Sequence, residues 1–212
     1  MFDFDGTLVD SEKLYIEAGV QALQQMGIPK DYGYQFNRQY FAGLRFDEKP
    51  AAFAKEFPHL SYAEYQKLYA AKMEELKAVM PVTIKPGAVE VLQYVKQQGK
   101  KVAVVTMSKY EVVTQTCAQI GLDFGLFDYF FGGAECPAKP NPAIYLKAMR
   151  ELGVTPEQTL IVEDSNVGGL AAIRSGANVV VVKDEAILSA EVLTKANYVF
   201  EKDCLIRVKE IL

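Results

Sequence analysis

Histidine is almost missing from this chain. One residue, His59, occurs among 212, in Phe57-Pro58-His59-Leu60-Ser61, a polar connection between helical stretches. A Ser-His-Asp triad, a histidine-rich metal site or a two-histidine phosphatase would have to be built on that residue alone. Chemistry must therefore run on carboxylates, hydroxyls and lysines. Cysteine is scarce too. Cys117, Cys136 and Cys204 are odd in number and unclustered, which excludes a disulfide frame or a thiolate zinc site and reads as the reduced thiols of a cytoplasmic protein. There is no excess of positive charge: the net charge of −4 and a pI near 5.2 argue against a nucleic-acid or anionic-membrane partner. No stretch approaches the apolar length of a membrane span, and no basic-then-apolar signal segment opens the chain. Internal repeats and low-complexity tracts are also absent.

What remains is an ordinary globular composition, half hydrophobic and a quarter charged, long enough for one large domain or a core with a smaller insert. From Lys85 onward helix and strand signals alternate. Pro86 and Gly99 bracket a helix carrying Val89, Leu92 and Val95. Val102-Ala103-Val104-Val105-Thr106 is a strand apolar enough to be buried on both faces. Ser108 with Glu111 forms a capping box for the next helix, ending near Gly121. Tyr129-Phe130-Phe131 is a strand, Asn141-Pro142 opens a helix running to Gly153, and Leu160-Ile161-Val162, Val179 to Val182 and Tyr198-Val199-Phe200 are further strands. Such βα alternation predicts an α/β fold with a doubly wound, Rossmann-like parallel sheet, whose ligands sit at the carboxyl ends of the strands. Residues 13–80 read differently, as an all-helical insert. Leu14, Ala18, Val20, Leu23 and Met26 mark one helix, Ala51 to Phe57 a second, and Ser61 with Glu64 caps a third. The expected domains are thus a core of 1–12 and 81–212 and a helical insert of 13–80. Val9 to Glu12 and Met80 to Thr83 are the two connections that could act as a hinge.

Acidic residues gather at the predicted strand ends. In Met1-Phe2-Asp3-Phe4-Asp5-Gly6-Thr7, strand alternation points Asp3 and Asp5 the same way. Gly6 lets the backbone turn sharply and leaves amide N–H groups open to an anion. Two carboxylates on one side repel unless a cation or a proton lies between them, and a hard divalent ion such as Mg²⁺ suits oxygen donors shared with a substrate phosphate. An acidic polar turn is the plain alternative. Thr106, at a strand tip beside the N–H groups of Met107 and Ser108, is a phosphate contact or an idle strand-end hydroxyl. Lys139, held in Ala138-Lys139-Pro140-Asn141-Pro142, is either solvated or a fixed ammonium offsetting a carboxylate cluster and a phosphate. Glu163-Asp164 directly follows Leu160-Ile161-Val162, and burying unpaired charge there is costly. Only Met1 and Phe2 precede Asp3, fewer than a central strand of average length uses; the strand is unusually short, or the natural chain begins upstream.

Asp3-x-Asp5-Gly6-Thr7, Thr106 after a hydrophobic strand, Lys139-Pro140 and Glu163-Asp164, in that order, resemble the four motifs of the haloacid dehalogenase superfamily. Leu8-Val9-Asp10-Ser11-Glu12 is similar to its phosphoglucomutase-like branch, and the helical insert resembles that family's small cap. The resemblance covers essentially the whole chain. It implies that Asp3 is the nucleophile forming an aspartyl-phosphate, and Asp5 the general acid and then the base. It further implies Mg²⁺ held by Asp3, the Asp5 carbonyl and Asp164, with Glu163 acting through water, and phosphoryl oxygens held by Thr106 and Lys139. Gly6, Met107, Ser108 and the insert residue Arg45 join the substrate-binding candidates; for Arg45, substrate contact and solvated surface charge stand level. The dehalogenases proper lack an acid two residues after the nucleophile, so Asp5 favours phosphoryl transfer.

The expected activity is Mg²⁺-dependent hydrolysis of a small phosphate ester, a sugar phosphate first, by a cytoplasmic monomer or weak homodimer that binds neither nucleic acid nor membrane. Two other readings stand: a phosphosugar mutase, and a non-catalytic phosphate-responsive binding protein. Three positions depart from the mutases this chain resembles. Tyr15 stands where they carry a histidine, Arg45 follows Gly43 by two residues where they space arginine by three, and Tyr110 replaces an asparagine after Ser108-Lys109.

Overall fold

The computed structural model describes residues 1–41, 49–132 and 136–212. They form two compact units: one of Met1–Asp10, Thr83–Asp184 and Leu188–Leu212, the other of Ser11–Val82 with Glu185–Ile187.

The first unit is an α/β fold around a parallel sheet. Its strands are β1 (Ala103–Val105), β2 (Tyr129–Phe131), β3 (Leu160–Glu163), β4 (Asn178–Val182) and β5 (Tyr198–Phe200). β1 pairs with β2, and β3 pairs with β4, which pairs with β5, all in parallel. The chain's first residues join the two halves. Phe2 bridges Val104 on one side and Val162 on the other, and Phe2 and Asp3 donate to the carbonyls of Ala103 and Val162 at 2.8 and 3.0 Å. The order across the sheet is therefore β2, β1, Met1–Asp3, β3, β4, β5. The segment before Asp3 takes a central position because its backbone is paired on both sides, with Met1 N donating to Leu160 O at 2.8 Å.

Helices α5 (Ala88–Gln97), α6 (Tyr110–Ile120), α7 (Ala143–Leu152), α8 (Asn166–Arg174) and α9 (Ala190–Lys195) complete this unit. β4 is buried from Val179 to Val182, as expected for a strand covered on both faces. Its core joins Val179 and Val181 to Ile144, Tyr145, Ala148 and Met149 of α7 and to Ala171 and Ala172 of α8. Burying a Val, Leu or Ile side chain fully contributes about 1.5–3 kcal/mol, so this shared cluster holds the helices that carry the site against the sheet. Two alanines at the contact let α8 approach β4 closely.

The second unit is helical among its described residues: α1 (Glu12–Gln25), α2 (Lys30–Phe36), α3 (Lys49–Glu56) and α4 (Tyr62–Lys77). Its core is aromatic, with Phe36, Phe41, Phe53, Phe57 and Tyr65 buried together. Ring pairs such as Phe36 and Phe57, 4.7 Å apart and steeply tilted, have the edge-to-face geometry aromatic quadrupoles favour. Ser61 caps α4 by accepting from the Glu64 N–H at 3.3 Å, as the sequence predicts. Two elements were not anticipated: α2, which opens after Pro29, and the wider π-helical turn Asn37–Phe41 that follows it. The Asn37 amide donates to Gly33 O at 2.8 Å, tying that wider turn to α2. Arg38 holds Glu185 through its carbonyl at 2.9 Å and its carboxylate at 3.1 Å. Arg45 lies outside the described residues. No described helix is long and apolar enough to cross a membrane.

Candidate active site

The sheet order sets the site. With Met1–Asp3 between β1 and β3, the residues leaving three adjacent strands at their carboxyl ends come together: Asp3, Thr106 beyond β1, and Glu163-Asp164 at the end of β3. This is where open α/β sheets place their ligands. The loop from β2 to α7 delivers Lys139.

Lys139 organises the centre. Its ammonium is buried and donates to Asp3 Oδ1 at 2.6 Å, Glu163 Oε1 at 2.6 Å and Val105 O at 3.1 Å. An ammonium has three N–H donors, so every one is committed. Burial alone would push the Lys139 pKa down; the Asp3 and Glu163 carboxylates overcome it and hold the group well above its ordinary value, as a cation. Burial also pushes the Asp3 carboxyl well above the usual carboxylate range, with Lys139 opposing and the Glu163 and Asp5 charges adding to the rise. A concentration of buried negative charge with one ammonium is a setting that a further cation would relieve.

Asp3, Glu163 and Asp164 each present a carboxylate oxygen, all within 4.8 Å of one another among the described residues. Hard oxygen donors at that spacing fit a small divalent ion such as Mg²⁺. The three are not equivalent. Asp164 is oriented by Thr7, whose hydroxyl donates to Asp164 Oδ1 at 2.8 Å. Glu163 is fully buried and already satisfied. Its Oε1 accepts from Lys139 and from the Tyr145 hydroxyl at 2.5 Å, and its Oε2 accepts from Asp164 N at 3.3 Å and Ser165 Oγ at 3.4 Å. The Asp5 side chain is not in the group of three, although strand alternation puts its carboxylate beside that of Asp3; the family resemblance assigns the metal its backbone carbonyl instead.

Two local readings are corrected. The capping box expected at Ser108 does not form: Lys109 occupies the N-cap of α6 without a side-chain bond, and Ser108 Oγ instead donates to Asp5 Oδ2 at 2.6 Å. The charged carboxylate is the stronger acceptor and captures the hydroxyl. Gly6 does supply the turn, at φ 80°, where a Cβ would be strained. Its own N–H, however, is not open to an anion, because it donates to Val9 O at 2.9 Å. Thr106 is buried, and its hydroxyl oxygen accepts from Ser108 N at 3.0 Å, leaving the O–H proton as a donor. Met107 stands between them with its side chain exposed.

Tyr145, on α7, is a functional candidate that sequence reasoning missed. Its spacing with Ile144, Ala148, Met149 and Leu152 reads as a helix's core stripe, and nothing local marks its hydroxyl as polar machinery.

Known proteins share this chain's sequence pattern and fold. The family model described as haloacid dehalogenase-like hydrolase matches residues 1–182. A phosphorylated carbohydrates phosphatase of Thermotoga maritima is 28% identical over 214 aligned residues, covering 100% of this chain and 95% of that one. A validoxylamine A 7'-phosphate phosphatase of Streptomyces hygroscopicus subsp. limoneus is 30% identical, covering 92% of each. Among solved structures, a Thermotoga maritima protein provisionally described as a β-phosphoglucomutase superposes with a TM-score of 0.74 at 25% identity, over 100% of this chain and 98% of that one.

Proposed function

The chain belongs to the haloacid dehalogenase-like hydrolases, in their phosphatase branch, and from that premise we propose that it is a Mg²⁺-dependent phosphatase of a small phosphorylated metabolite, a sugar phosphate first. Relatives named for phosphorylated carbohydrates and for validoxylamine A 7'-phosphate support that class. The observation that carries the proposal is the buried Asp3–Lys139 pair at 2.6 Å, beside Asp164 and at the end of three strands. A carboxylate held next to a fixed cation can attack phosphorus, and the same cation then faces the negative charge of the transferring group.

In the first step an Asp3 oxygen forms a bond to phosphorus as the bond from phosphorus to the ester oxygen breaks. Asp5, in its protonated form, gives its proton to the departing oxygen. In the second step Asp5, now a carboxylate, takes a proton from water, the water oxygen bonds to phosphorus, and Asp3 is released. Ser108 orients Asp5 through its 2.6 Å bond. Thr106 donates its O–H to a phosphoryl oxygen, and Lys139 transfers one of its N–H bonds from Asp3 to another. Asp3, Asp164 and the Asp5 carbonyl would hold Mg²⁺, which supplies charge stabilisation at the phosphoryl oxygens when bound. Glu163 acts as the charge partner of Lys139, and the helical unit serves as a substrate-selecting cap.

The experiment is phosphate release from a panel of sugar phosphates with Mg²⁺, comparing the wild-type protein with Asp3→Asn. The variant keeps the shape and removes the attacking charge, so turnover should vanish; near-normal release by it would sink the mechanism. The mutase reading is favoured by the Leu8-Val9-Asp10-Ser11-Glu12 segment and by the likeness to the structure provisionally described as a β-phosphoglucomutase. With β-glucose 1-phosphate and a bisphosphate primer, glucose 6-phosphate forming faster than free phosphate would establish it. Tight binding of phosphate esters with no release would point to a phosphate-responsive binding protein.

A further inference from the structure

The Tyr145 ring and hydroxyl both serve the Asp3–Lys139 pair, although Tyr145 belongs to none of the four sequence motifs. Tyr145 is fully buried, its hydroxyl donates to Glu163 Oε1 at 2.5 Å, and its ring centroid lies 4.9 Å from the Lys139 ammonium. Glu163 Oε1 is the same oxygen that accepts from Lys139. From this shared oxygen we infer that Tyr145 is a positioning residue: its hydroxyl anchors Glu163 and so sets where the Lys139 ammonium stands relative to Asp3.

Lys139 divides its donors between two carboxylates, Asp3 and Glu163, at equal distance. A bare Glu163 carboxylate would draw the ammonium toward itself, since Coulomb attraction is strong where water is excluded. The tyrosine hydroxyl moderates this in two ways. It takes up part of the charge on Oε1 through a charge-assisted bond, and it fixes the carboxylate so that it cannot rotate after the lysine. The ring adds a face on which a cation is favourable, 4.9 Å from the ammonium. The other oxygen of Glu163 is braced by Asp164 N and Ser165 Oγ, so Tyr145 is the side-chain donor on the lysine's own oxygen.

Tyr145→Phe tests this because it keeps the ring and its packing and removes only the donor. The kinetic consequence rests on the phosphatase reading; the position of the ammonium does not. Two measurements are therefore made on wild type, Tyr145→Phe, Glu163→Gln and the double variant. The first is turnover of a generic aryl phosphate with Mg²⁺. The second, without substrate, is the ¹H–¹⁵N signal of the Lys139 ammonium, assigned by its loss in Lys139→Arg, with the dispersion of the whole spectrum reporting folding.

Tyr145→Phe should lower kcat about ten- to a hundredfold, the range for losing a hydrogen bond to a buried charge, with KM changed less than threefold. Adding Tyr145→Phe to Glu163→Gln should cost little more, because the two act through one bond. The ammonium signal should shift or exchange away in Tyr145→Phe while the rest of the spectrum stays folded. An unchanged ammonium signal, turnover within twofold of wild type, or full additivity with Glu163→Gln would each overturn the inference. If the wild-type protein releases no phosphate, the phosphatase reading fails, and the ammonium signal alone decides for or against the positioning role.

Discussion

Gly168, in the first turn of α8, is where a single methyl group should do the most damage. A Cβ there would stand 1.9 Å from Glu163 Oε2, 2.1 Å from its Cδ and 2.2 Å from Oε1, well inside contact distance. Glu163 cannot retreat as a whole, because its backbone is paired opposite Val181 within the sheet. In Gly168→Ala, with α8 held against β4 through Ala171 and Ala172, the carboxylate is the group that swings aside, and the bonds from Tyr145 and Lys139 to Oε1 are then lost. Hydrogen bonds to charged groups contribute about 1.5–3 kcal/mol each, so two amount to about 3–6 kcal/mol. Replacing glycine by alanine inside a helix returns about 1 kcal/mol of propensity. The expected net loss is about 2–5 kcal/mol, read from urea unfolding followed by circular dichroism. Phosphate release should fall as well, because Lys139 loses one of its two carboxylate anchors. Gly169→Ala is the control: its nearest neighbour is a Val192 methyl at 2.9 Å, which can rotate, and that variant should lose less in stability and little in turnover. A Gly168→Ala protein within 1 kcal/mol of wild type, with turnover intact, would refute the claim that the carboxylate's place is enforced by the missing side chain.

Two further outcomes follow from the same structure. After chelation activity should be lost and Mg²⁺ should restore it, while Ca²⁺ should restore little because its longer, looser coordination disturbs the in-line geometry; full turnover in excess chelator would exclude Asp3 and Asp164 as a metal centre. Burial pushes the Cys117 thiol up to about 11, so at pH 8 it stays protonated, and a thiolate-specific reagent should modify Cys136 and Cys204 in the native protein but reach Cys117 only after unfolding. Rapid modification of all three thiols in the folded protein would contradict that burial.

Much of the site was legible as chemistry. Asp3, Lys139 and Asp164 each carry a charge at a predicted strand end or helix entrance, where an unpaired ion is too costly to be incidental, and the structure brings them together with Glu163. Ser108 was legible only as a hydroxyl. A serine three residues before a glutamate is as good a cap as it is a donor to a distant acid, and the decision went to Asp5, 103 residues away in the chain. Gly6 was legible as a turn, but whether its N–H faced an anion or Val9 depended on how tightly that turn closed. Tyr145 was hidden because a buried aromatic on an apolar helical stripe looks the same whether its hydroxyl is spent on a core neighbour or on a catalytic carboxylate. The segment before Asp3 reads as short for a central strand, and its pairing with β1 and β3 on either side is a tertiary fact that residue counting cannot reveal.

By itself the sequence determined the alternation of helix and strand, the placement of acids and a lysine at the strands' carboxyl ends, and a histidine count too low for a histidine-built site. These follow from periodicity, from turn residues and from the inventory of side chains, all of which are local. Only the tertiary structure decided which oxygen meets which donor: Lys139 with Asp3 across 136 positions, Tyr145 with Glu163 across 18, Thr7 with Asp164 across 157. A hydrogen bond is specified by an approach of about 3 Å and a direction. Residues far apart in the chain acquire that approach only after the sheet order has brought their strands side by side.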